Sequence, residues 1–178
     1  MTSSSAPSSS APASSAPAHA DLSTERLILR SWSASEAAAV LDGTRSKSWA
    51  DDFPADGDRV IAGLFARFPD WLGEYGHRLI IERESGAVVG SIGLFWPPSE
   101  GVLEIGYGIV ASRRGRGYAP EATRAMTELA LGAPGVHTLC ANVELSNPPS
   151  ARVLEKAGFQ RWTSDETTAR FRITNQDQ

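Results

Sequence analysis

The chain of 178 residues carries one cysteine, Cys140. No internal disulfide can form, and a lone thiol fits a reducing cytoplasm, which is the expected location. No apolar run approaches the roughly 20 residues that a membrane-spanning helix needs, so no membrane partner is expected. The formal net charge of −4 lacks the positive excess of a protein that coats nucleic acid or anionic lipid. No nucleic-acid partner is therefore expected. The N-terminus has neither the basic start nor the apolar centre of a signal peptide. His77 has no second His, Cys or acid at ligand spacing, so no metal site is expected. Two phosphate signatures are also missing. There is no Gly-x-x-x-x-Gly-Lys-Ser/Thr, and Gly115-Arg116-Gly117 continues as Tyr118-Ala119-Pro120 instead of completing a dinucleotide fingerprint.

What is present begins with a tail. Residues 1–21 are mostly Ser, Ala and Pro, with too little apolar bulk to offset the entropy of ordering, so they are expected to be disordered. Residues 22–178 are long enough for a single domain with a sizeable core. Thr24 to Trp32 alternates after Arg26 and reads as a strand. Ser33 precedes Glu36 by three residues, a capping-box spacing that starts a helix over Ala34–Leu41, with Gly43 beyond it. A loop bearing Trp49, Asp51, Asp52 and Phe53 follows. Asp56 or Asp58 then caps a helix over about Arg59–Phe68, with Val60, Ile61, Leu64, Phe65 and Phe68 on its apolar face. His77–Glu82, Ala87–Phe95 and Val102–Val110 form an antiparallel meander, with His77 at a strand edge in a structural or exposed position. His137–Val143 is a further strand, parallel to Val102–Val110 by a right-handed crossover. Cys140, mid-strand among apolar residues, reads as buried and inert. Asn147, Pro148 and Gly158 punctuate another helix, and a short hairpin closes the chain.

The stretch Glu104–Ala122 carries the chemistry. A strand feeds a turn with Gly115 and Gly117, then a helix with Pro120 in its first turn. Glycines there permit φ > 0 and close backbone approach to a ligand. Free N–H groups at a helix start, with the positive end of its dipole, make an anion site. Arg113, Arg114 and Arg116 add positive charge. The same pattern also suits a structural turn with solvated arginines.

Arg114-x-x-Gly117-x-Ala119 resembles the acyl-CoA-binding loop of the GNAT N-acetyltransferases. The run from Ile105-Gly106-Tyr107 to Glu121-Ala122 is similar to the branch of ribosomal-protein serine and alanine N-terminal acetyltransferases. The opening Thr24-Glu25-Arg26-Leu27 and the Asn147–Phe159 segment, with its Asn-x-x-Ser-x-x-x-Leu-x-Lys-x-Gly-Phe pattern, match that branch too.

The resemblance implies an α/β (α+β) fold: a mixed, mostly antiparallel sheet of six to seven strands flanked by about four helices. It implies acetyl-CoA as co-substrate, bound by Ile109, Val110, Arg114, Gly115, Arg116, Gly117, Tyr118, Ala119 and Asn147. The acetyl group would pass directly to a primary amine such as a protein N-terminal α-amine. A small-molecule amine (antibiotic or polyamine) is the alternative acceptor, and a non-catalytic acyl-CoA sensor is the non-enzyme reading. Glu104 is the candidate base through water, or else a strand-end surface carboxylate. Ser150 is the candidate thiol-proton donor, or simply a cap, with Tyr107 and Tyr118 as alternatives. Trp49, Asp51, Asp52 and Phe53 are acceptor-side candidates by resemblance, or ordinary loop and core. The C-terminal hairpin is shorter than the family's usual one. The protein is expected to be a monomer or homodimer.

Overall fold

The computed structural model describes residues 19–175; the Ser/Ala/Pro-rich run over 1–18 lies outside them. The carbonyl of Ala20 accepts a hydrogen bond from Arg78 Nη1 at 2.9 Å, so the folded unit begins inside the expected tail.

Eight strands form one sheet in the order β1-β2-β3-β4-β5-β6-β8-β7. They are β1 (Leu22–Ser23), β2 (Leu27–Ser31), β3 (His77–Glu82), β4 (Val88–Leu94), β5 (Val102–Ile109), β6 (Thr138–Glu144), β7 (Gln160–Ser164) and β8 (Thr168–Thr174). The helices are α1 (Ala34–Asp42), α2 (Asp56–Leu64), α3 (Tyr118–Leu131) and α4 (Pro148–Lys156). The mixed fold and its meander are as expected. The sheet exceeds six to seven strands because the two-residue β1 pairs with the edge of β2, too short a segment to show a period.

Local signals set most boundaries. The Ser33 hydroxyl accepts the Glu36 N–H at 3.1 Å and the Glu36 carboxylate accepts the Ser33 N–H at 2.8 Å, closing the capping box. Gly43 ends α1 with φ 83. The helix expected over Arg59–Phe68 sits several residues earlier. Its N-cap is Ala55, whose N–H is taken by Asp58 Oδ2 at 2.8 Å. Pro69 disfavours helical geometry at Phe68, which has φ −125 and ψ 71.

β4 is buried along its whole length, as a strand is when both sheet faces are covered. The α1–α2 pair lies against the face that carries Ser91, while α3 packs across β2, β4, β5 and β6. Among the described strands β5 and β6 pair in parallel, joined through α3, and every other strand pair is antiparallel. Among the described residues no helix is long and apolar enough to cross a membrane.

Candidate active site

β5 and β6 pair only from Val102↔Thr138 to Glu104↔Cys140. Beyond that point β5 stays with β4, and β6 stays with β8, so the two strands part. The Phe95 N–H bonds the Glu104 carbonyl at 3.0 Å, and the Val110 N–H bonds the Val89 carbonyl at 2.9 Å. Antiparallel bonds alternate along a strand, so Tyr107 and Ile109 turn their backbone groups to the opened side. The Ile109 carbonyl is taken there by Arg114 Nε at 3.0 Å.

The glycine turn caps this opening. Gly117 is the N-cap of α3 with φ 80. No protein acceptor takes the N–H of Gly115, Arg116, Gly117, Tyr118 or Ala119 among the described residues. Five adjacent free amides at a helix start form an anion cradle.

The arginines divide in a way that spacing did not show. Arg113 and Arg116 pair with the buried Glu82 at 3.4 and 3.3 Å, and the Tyr118 hydroxyl donates to it at 2.7 Å. Burial pushes the Glu82 carboxyl up, but hydrogen bonds from Tyr118 and Ser85 and the two guanidinium charges outweigh it and hold the group low. Arg26 braces the same turn through Glu121 at 3.2 Å and the Arg116 carbonyl at 2.6 Å. These charges shape the loop. Arg114, Arg152 and Lys156 line the cleft beside Arg113 and, unlike it, none of these three is in an ion pair among the described residues.

The cleft encloses about 550 Å³, bounded by the end of β5, the glycine turn and the start of α4. Ile109, Arg114, Gly115, Gly117, Tyr118, Ala119, Asn147 and Ser150 all line it. Asn147 Oδ1 accepts the Ser150 N–H at 3.4 Å, holding the first turn of α4 toward the cleft. The Tyr107 hydroxyl lies 2.8 Å from Ser150 Oγ and 3.0 Å from the Ser150 carbonyl. Burial pushes the Tyr107 phenol up, so it stays protonated. Three expected residues stand apart. Val110 is buried with its N–H spent on β4, and the Arg116 side chain turns to Glu82. Glu104 accepts from Asn142 Nδ2 at 3.1 Å where β5 and β6 part, and lines neither this cleft nor its neighbour. Cys140 sits opposite Glu104, half-buried, its thiol pushed up by burial and by that carboxylate.

A second hollow of about 440 Å³ lies against β4 and β5 and shares Tyr107, Gly108, Ile109 and Arg114 with the cleft. Directly paired residues of antiparallel strands point to one face. The pairs His77↔Gly93, Gly93↔Gly106 and Ser91↔Gly108 therefore leave that face bare of bulk. A Cβ on Gly93 would strike the His77 ring at 2.0 Å, whereas one on Gly108 would meet nothing within 4 Å.

Two buried ionisable side chains, His77 and Asp58, line the hollow beside Tyr107 and Arg114. His77 is 2% exposed, packs near Phe65, Trp71 and Phe95, and has no partner for Nε2. Burial lowers its pKa to about 4, so the ring is neutral. Asp58 is 4% exposed, takes the Ser91 hydroxyl on Oδ1 and the Ala55 N–H on Oδ2. Burial still raises its pKa. Sequence reasoning read Asp58 only as a cap and His77 as an edge residue. The signal available was the pair of alternate glycines, Gly106 and Gly108, which face Gly93 and Ser91 across the sheet. The acceptor-side candidates lie elsewhere. Trp49 and Phe53 are core, Asp51 is exposed, and Asp52 takes the N–H and hydroxyl of Ser112 at 2.8 and 2.7 Å.

Comparison with known proteins places the chain among acetyltransferases. The chain is 34% identical over 82 residues to the uncharacterized N-acetyltransferase YjdG of Bacillus subtilis, covering 46% of this chain and 49% of that protein. It is 26% identical to YnaD of the same organism over 79% of this chain and 82% of that one. The chain thus spans about half the length of the first relative and most of the second. Among solved structures, an acetyltransferase from Agrobacterium tumefaciens superposes with a TM-score of 0.64 at 25% identity, covering 93% and 100% of the two chains. Two more share the fold. They are a ribosomal-protein-S5-alanine acetyltransferase from Vibrio fischeri (14%, TM-score 0.64, covering 89% and 98%) and a microcin C7 self-immunity acetyltransferase in complex with acetyl-CoA and AMP (12%, 0.62, covering 85% and 94%). The family model described as an acetyltransferase (GNAT) domain matches residues 26–160, and the chain belongs to the GNAT acetyltransferase family.

Proposed function

We propose that the protein is an acetyl-CoA-dependent N-acetyltransferase that moves the acetyl group directly to a primary amine. The observation that carries this reading is the meeting of two cavities across the Tyr107–Ile109 end of β5. One cavity has the donor set for CoA. The free amides at the start of α3 suit a pyrophosphate, and Arg114, Arg152 and Lys156 supply charge for phosphate groups. The bare edge of β5 offers peptide groups to the amides of a pantetheine arm. The other cavity opens on the far side of the same three residues, where a second substrate can reach a thioester held in the first.

When bound, acetyl-CoA supplies the activated carbonyl. The protein holds the two reactants in one geometry, which alone removes much of a bimolecular barrier. The departing thiolate needs a proton, and the hydrogen-bonded Tyr107–Ser150 pair in the cleft holds one. Tyr118 does not compete, because its hydroxyl is committed to Glu82. The amine must be neutral to attack. An α-amine, with an ordinary pKa of about 8, needs less help than a lysine at about 10.4. Glu104 can serve as base only through a water relay, since it lines neither cavity.

A protein N-terminal α-amine is the acceptor the family resemblance suggests, a small-molecule amine is the alternative, and the cytoplasm is the proposed setting. A thiol-release assay with acetyl-CoA over a panel of amines and peptides, beside calorimetry with CoA, tests the reading. Saturable turnover on an amine is expected. Failure to bind CoA defeats the reading, and CoA binding with no turnover on any amine leaves the sensor.

A further inference from the structure

We propose that the hollow beside β4 and β5 receives a single amine carried on an apolar body, not a polycation, and that Asp58 is the group that holds that amine. This rests on the N-acetyltransferase reading and names its acceptor class.

Asp58 is the one carboxylate lining the hollow. Most of the remaining wall is apolar or bare, built from Ile61, Ile92, Phe95, Ile109 and the glycines of β5. An amine that enters as its ammonium needs a paired charge once desolvated there, and one carboxylate satisfies one ammonium. The ammonium's proton passes to that carboxylate or to water before the neutral amine attacks. The second and third charges of a polyamine or aminoglycoside would be buried without partners, which the desolvation of an unpaired charge opposes. The cation already lining the hollow, Arg114, repels them further.

The carboxylate is held for use. Ser91 and Ala55 each donate one hydrogen bond to it, one on each oxygen. A carboxylate accepts about four, so two lone-pair directions are left. His77 contributes an independent sign of a missing ligand. Its ring lines the hollow, it is 2% exposed, and its Nε2 has no partner. Buried polar atoms are almost always paired. A neutral imidazole nitrogen beside an amine site can accept an amine N–H or donate to a neighbouring carbonyl. The volume of about 440 Å³ suits a small ligand or one terminal residue of a chain.

The test uses the full chain, acetyl-CoA, and four acceptors: 2-phenylethylamine, a tetrapeptide amide with an apolar first residue, spermidine and kanamycin. The apolar monoamine or the peptide is expected to exceed both polycations in kcat/KM by about tenfold or more. Asp58→Asn keeps the shape and one acceptor: the amide oxygen can still take the Ala55 N–H, and the amide NH2 donates to the Ser91 hydroxyl, which can turn to accept. It is expected to lower kcat/KM by about tenfold or more, chiefly through KM, with CoA affinity unchanged. Val60 lines the same hollow and is 62% exposed, so Val60→Glu is tolerated by the fold. It adds a second carboxylate and is expected to shift preference toward spermidine. Preference for a polycation by the unmodified protein, or an unchanged KM in Asp58→Asn, overturns the proposal. If CoA binds but no amine is acetylated, the enzyme reading fails separately. Calorimetry of 2-phenylethylamine against the CoA complex then decides the site: binding that is lost in Asp58→Asn sustains it, and no binding overturns it.

Discussion

Replacing His77 with phenylalanine should remove a large part of the protein's sensitivity to mild acid. Burial lowers the His77 pKa from 6.5 to about 4 in the folded state. The unfolded chain therefore takes up this proton first as pH falls. The stability contributed by the neutral ring is complete above 6.5 and drains away as the pH drops toward 4. Each pKa unit is worth about 1.4 kcal/mol, so the limit is about 3.4 kcal/mol, of which about 2 kcal/mol is lost between pH 7 and pH 5. His77 has no charged partner to offset the penalty, because its neighbours are Phe65, Trp71 and Phe95. Phenylalanine keeps a ring over Gly93 and removes the titration. Urea unfolding of both proteins at pH 7, 6 and 5 isolates the effect, since carboxylates elsewhere cancel in the difference. The stability gap should move in favour of His77→Phe by about 2 kcal/mol across that range. Parallel stability curves would refute the burial argument.

Three further outcomes follow from the site. Tyr107→Phe should lower kcat by about a hundredfold, the low end for general acid catalysis, whereas Tyr118→Phe should leave kcat within about twofold and cost about 1–3 kcal/mol by stripping a hydrogen bond from buried Glu82. Steady-state kinetics beside thermal unfolding separates the two, and equal kcat losses would reverse the assignment. Gly117→Ala should destabilise by about 1 kcal/mol or more and weaken CoA binding by calorimetry, because Gly117 has φ 80 and its Cβ would stand 3.2 Å from Arg26 Nη2. Unchanged affinity would mean that the turn does not shape the anion cradle. Glu104→Gln should keep most activity across the pH range, and a pH–rate profile on the preferred acceptor that loses its acid limb would restore Glu104 as the base.

Much of the first cavity was legible because its signals are local. Gly115 and Gly117, the helix start after them, and the Asn147–Ser150 cap each involve residues a few positions apart, where propensity and capping act without the rest of the fold. The second cavity was not legible. Its floor comes from Ser91 and Ile92 of β4 and the glycines of β5, and its buried ionisable lining comes from Asp58 and His77, which only pairing and packing bring together. Asp58 bonds Ser91 across 33 positions of sequence, and no spacing rule spans such a gap.

The same division explains the arginines. By itself the sequence determined that three positive charges sit in one turn between a strand and a helix, and that this turn can cradle an anion. Only the tertiary structure decided which charges remain for a ligand. β3 brings Glu82 beneath the turn, where a buried carboxylate claims Arg113 and Arg116, and α4 delivers Arg152 and Lys156 to the vacancy. Local backbone preference is written residue by residue, but the partner of a charge is set by which strands meet. For this protein the first cavity was therefore largely readable from the chain, and the second came into being only with the fold.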